Sequence, residues 1–86
     1  MSFLSENVIP GNHGKIFGTD ATDSHDLERI KHGLLKIEGV KDVLLNTTNF
    51  VKEFTVFTSK TIEVKTIQDK VKSFGFHAIP KGIFPL

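Results

Sequence analysis

The sequence contains no cysteine. Disulfides and thiolate metal sites are both excluded by that absence, so a folded domain must be held by its core alone. Long apolar runs are missing too. No stretch approaches the roughly 20 apolar residues needed to cross a bilayer. Met1 to Pro10 has neither a basic start nor the sustained apolar run of a signal peptide, and a cytoplasmic location is the expectation this leaves. There is little net charge: +1 gives no pull toward nucleic acid or anionic membranes. No glycine-rich phosphate loop occurs, and Ser24, His25 and Asp26 are too close in the chain to take up triad geometry. An enzyme is not expected.

What is present suits one small domain. A chain of 86 residues buries only about 60–65% of its unfolded surface, so its core must be efficient. Apolar residues at 38% and charged residues at 24% are ordinary globular proportions. Residues 1–14 read as an N-terminal arm, broken by Pro10-Gly11-Asn12 and Gly14, and residues 15–86 read as the domain. Lys15 to Thr19 is a short strand candidate, followed by the polar loop Asp20 to Asp26. Leu27, Ile30, Leu34 and Ile37 then mark one face of an amphipathic helix, which Gly39 stops.

Val40 to Thr47 reads as a strand, with Val43 and Leu45 on one side. Asn46 to Asn49 has turn chemistry, and Phe50 to Thr58 is the most strand-like run. Its two faces both contain Phe, so alternation alone leaves open which is inside. Thr66 and Asp69 form an approximate capping box for a second helix bearing Ile67, Val71 and Phe74 and ending at Gly75. Phe76 to Ile79 is a last strand, which Pro80 places at a sheet edge. The order strand, helix, strand, strand, helix, strand predicts an α+β fold. Right-handed crossovers make it a ferredoxin-like βαββαβ sandwich, a four-stranded antiparallel sheet with two helices on one face.

Ile30, Leu34, Ile37-Glu38-Gly39-Val40 and Val43 resemble the first helix and second strand of heavy-metal-associated, copper-chaperone-like domains. Ile67, Val71 and Gly75-Phe76 are similar to that family's second helix. The resemblance covers roughly residues 15 to 80. It implies that the family's Met-Thr-Cys-x-x-Cys motif would fall on Ala21-Thr22-Asp23-Ser24-His25-Asp26, where only Thr22 matches and both cysteines are replaced, by Asp23 and Asp26. Soft thiolates select Cu(I), whereas carboxylate and imidazole suit harder or borderline ions. Cu(I) carriage of the usual kind is therefore not expected. The family's face-to-face contacts with related domains, through the loop and helices, imply a protein partner as the other role.

Two readings of this loop stand side by side. Asp23, Asp26 and His25 are the candidate ligands for a divalent ion such as Zn(II), Ni(II), Mn(II) or Ca(II), with water completing the shell and His77 a remote further candidate. Alternatively these residues start a helix. A carboxylate there is worth about 0.3–1 kcal/mol through the dipole, and a side-chain cap adds about 1 kcal/mol. His32 lies two turns beyond His25, about 10 Å along the helix, and cannot share an ion with it. His13, in the arm, reads as solvated. The ferredoxin-like order also occurs in RNA-recognition modules, but Glu53 and missing glycines make Lys52 to Phe57 a poor match to their base-stacking strand. Those Phe residues read as core or as a partner-facing sheet surface. A converging cluster of Asp23, Asp26 and a histidine would favour the ion. An ordered arm or an outward Phe would favour a protein partner, with no nucleic acid and no membrane involved.

Overall fold

The computed structural model describes residues 8–47 and 52–85. Its elements run β1 (Val8–Ile9), β2 (His13–Thr19), α1 (Ser24–Leu35), β3 (Val40–Asn46), β4 (Glu53–Thr58), β5 (Ile62–Glu63), α2 (Val64–Lys72) and β6 (Ala78–Pro85). The main sheet has the order β3-β4-β2-β6, every pair antiparallel. That is the ferredoxin-like α+β arrangement expected from the element order.

One core joins both helices to one face of the sheet. Leu27, Ile30 and Leu34 of α1 and Val64, Ile67 and Val71 of α2 meet the inward residues Phe17, Val43, Phe54 and Val56. On β4 the open question of facing is decided: Phe54, Val56 and Thr58 are fully buried, while Glu53, Thr55 and Phe57 face outward and are half-buried. Phe54 is the inward choice because its ring stacks on Phe17 of β2, centroids 5.3 Å apart. Burying such a pair adds about 0.5–1.5 kcal/mol beyond its area. Expected positions 48–51, including the end of the Asn46–Asn49 turn and the start of the Phe50 strand, lie outside the described residues.

The stretch read as an arm joins the fold from Val8 onward. Val8 and Ile9 pair with Glu63 and Ile62, Ile9 is completely buried, and β2 already begins at His13. Thr58 is the clasp. Its buried hydroxyl donates to the Pro10 carbonyl at 2.6 Å and accepts from the His13 N–H at 3.3 Å, while the Asn12 N–H donates to the Thr58 carbonyl. Residues 1–7 are not among those described.

Three boundaries differ from the expectations. The helix α2 starts at Val64, not at a Thr66 cap. Glu63 holds the cap position and makes no side-chain capping bond, so Thr66 and Asp69 do not form a capping box. Pairing of β5 with β1 brings the chain to the helix start three residues earlier, and Val64 is buried there. The helix α1 ends at Leu35, and Gly39 completes the following turn at φ 99°. A side chain at Gly39 would press within 2.8 Å of the Lys60 stem. The last strand begins at Ala78 and runs through Pro80 to Pro85. Its edge position tolerates a proline without an amide donor.

Candidate functional site

The resemblance places the metal motif at the loop between β2 and the start of α1. After β2, the Thr19 hydroxyl accepts the Ala21 N–H at 3.2 Å, turning the chain so that Ala21 packs completely into the core. Thr22 and Asp23 remain exposed. Asp23 is the N-cap of α1: its backbone is extended, and Oδ1 accepts the His25 N–H at 2.8 Å. Its carbonyl accepts the Leu27 N–H at 3.0 Å. One otherwise orphaned helix donor is satisfied by that carboxylate.

Asp26 lies in the first turn, where its charge complements the helix dipole, and its Oδ1 is 3.5 Å from Arg29. His25 is exposed and turns along the outer side of α1, lining a groove beside Glu28 and Arg29. His77 does find a carboxylate, but that of Asp20. Its N–H donates to Asp20 Oδ1 at 2.8 Å, and Nδ1 lies 3.3 Å from Oδ2. The Asp20 carboxyl is held below its usual range, chiefly by that backbone N–H. Asp20 stands in the polar loop but outside the motif positions. Only the pairing of β2 with β6, Thr19 opposite Ala78, brings it beside His77. His13 sits at the far end of β2, its Nδ1 3.0 Å from the Gly11 carbonyl.

These positions test the fit of a metal. Cu(I) has no thiolate available anywhere in the chain. Among the described residues, no three His, Asp or Glu side chains form a group that could hold an ion. The residues as placed do not fit the family's metal, and the donors in the loop serve the helix.

A second feature lies between the helices and was not legible from the motif. Gly33 of α1 leaves room for the Phe74 ring, which would stand 2.4 Å from a Cβ at that position. Phe74 floors a groove of about 390 Å³ lined by both histidines of α1, Arg29 and Lys36. Arg29 lies 5.5 Å and Lys70 5.9 Å from its ring centroid, within cation–π range. The rim thus carries Arg29, Lys36 and Lys70 against Glu28. A helical Gly three residues before Lys36, with a Phe just after the second helix, is the signal that could have pointed here.

No family model matches the sequence, and no curated protein matches it. Among solved structures, the fold is similar to the apo form of the HMA domain of the copper chaperone for superoxide dismutase. The TM-score is 0.68 at 20% identity, covering 85% of this chain and 71% of that one. That likeness establishes a heavy-metal-associated-like fold. Among the described residues no helix is long and apolar enough to cross a membrane.

Proposed function

We propose that this chain is a small non-enzymatic protein-binding module of heavy-metal-associated type, in which Asp23-Ser24-His25-Asp26 starts a helix where the family holds a metal. The observation that carries this reading is the groove between the helices, a half-buried Phe74 ring over Gly33 with a basic rim. An apolar floor gives a partner side chain something to bury, and the rim favours acidic neighbours around it. The partner is an acidic segment with one apolar anchor. The arm's incorporation from Val8 and the outward-facing Phe57 support a protein role as well.

The competing reading is a hard-ligand site for a divalent ion at Asp23, Asp26 and His25. It draws on the same loop and asks two carboxylates to exchange present partners, the His25 N–H and Arg29, for an ion.

An NMR titration of the backbone amides separates the two. The probes are Zn(II), Ni(II), Mn(II) and Ca(II) at near-stoichiometric concentration, then a synthetic Glu-rich helical peptide with a single Leu. Salt-sensitive shifts at Arg29, Gly33, Lys36 and Phe74 with the peptide, abolished by Arg29→Glu, are expected. Localised shifts at residues 21–26 with an ion, lost in an Asp23→Ala, Asp26→Ala double variant, would overturn this proposal in favour of the ion.

A further inference from the structure

The outer face of the main sheet, opposite the helices, breaks the usual rule for a solvated antiparallel sheet, which is polar outside. Leu44 of β3 is 58% exposed and Ile79 of β6 is 63% exposed. Between them, Thr55 and Ile16 continue the Leu44 row across β4 and β2, and Phe57 stands in the next row. All three are half-buried. The apolar surface therefore spans the four strands.

An ion pair lies within the face. Lys81 reaches across the sheet to Glu53 at 2.8 Å, and its stem passes over Gly18, 3.2 Å from where a Cβ would be. Asp42 accepts the Val43 N–H at 2.8 Å, and Lys41 sits beside it in the bulge that opens β3. The Lys81–Glu53 pair is satisfied within this face, whereas the helix groove carries a basic rim.

We propose that this face takes a second copy of the chain, sheet against sheet, about a two-fold axis running along the strands between β2 and β4. Such an axis exchanges β2 and β4 between the copies. Gly14 is the β2 neighbour of Phe57, and Ile16 that of Thr55. The rotation therefore sets Phe57 of one copy over Gly14 of the other, and Thr55 against Ile16. Large side chains meet small ones, as interdigitation between sheets about 10 Å apart requires. The same rotation brings Lys81, lying over Gly18, opposite Glu53 of the second copy. Opposite charges face each other twice, once per half of an isologous interface. Docking through the helix groove instead would oppose two basic rims.

Sedimentation velocity on the full chain, from about 10 µM to about 1 mM, tests this. A concentration-dependent dimer is expected. Leu44→Glu or Ile79→Glu should raise its Kd more than about tenfold. Both positions are exposed, so circular dichroism should stay native. Glu53→Lys should weaken the dimer, and adding Lys81→Glu, which restores the ion pair within the chain as well as across the interface, should restore association. Phe74→Ala should leave it unchanged. A chain that remains monomeric at about 1 mM overturns the proposal. A dimer that survives Leu44→Glu but dissolves with Phe74→Ala overturns it too.

Discussion

Replacing Asp23 by Ala removes the acceptor that holds the otherwise free His25 N–H in the first turn of α1. The bond is 2.8 Å long and the site is exposed, so water recovers part of the loss and the cost falls mid-range for caps, about 1 kcal/mol. For a domain of this size that lowers Tm by about 4–8 °C. Asn and Ser are equivalent cap residues, so Asp23→Asn and Asp23→Ser should melt within a few tenths of a kcal/mol of the parent. A ligand role makes the opposite prediction, since both substitutions remove the carboxylate. The assay is thermal melting by circular dichroism of all four proteins, in chelator and then with Zn(II). If Asp23→Ala melts with the parent, the capping argument fails. It fails equally if Zn(II) raises the parent's Tm, as binding to the folded state must, and Asp23→Asn abolishes the rise.

Three other outcomes follow from particular contacts. The Asp20 carboxyl, lowered by the His77 N–H and ring, contributes stability that is present above the ordinary carboxylate range and lost as pH falls through its folded value. Asp20→Asn should flatten the acid limb of a stability–pH curve, and an unchanged limb would refute the link. Thr58→Val strips the Pro10 carbonyl and the His13 N–H of their buried partner. It should cost about 1–3 kcal/mol and speed amide exchange at Ile9 and Asn12 before α1. Gly33→Ala gains about 1 kcal/mol of helix propensity but drives the Phe74 ring out. Net stability should hold near the parent while NOEs between Phe74 and α1 vanish; persistence of those contacts would refute the close approach.

The fold was legible because its signals are local. Leu27, Ile30 and Leu34 repeat at helical spacing, and all three are buried in the core. Val43 faces inward on β3, as its alternation required, and Pro80 lies on an edge strand. Element order and chain handedness then left few topologies. The sequence also bounded the chemistry outright: without cysteine no tertiary arrangement can rebuild a thiolate site.

The candidate site was legible only in part. That Asp23 or a neighbour could cap α1 followed from residue type, because a cap bond spans two or three residues and needs no distant partner. The tertiary structure alone decided the rest. Pairing of β2 with β6 gave His77 to Asp20 in place of Asp23 or Asp26. Stacking on Phe17 turned Phe54 inward and Phe57 out. The β1–β5 pair moved the start of α2 and took up part of the arm, and the approach of two helices at Gly33 made the Phe74 groove. Each depends on residues far apart in sequence meeting at a register or packing distance, which composition and periodicity along one strand or helix cannot encode.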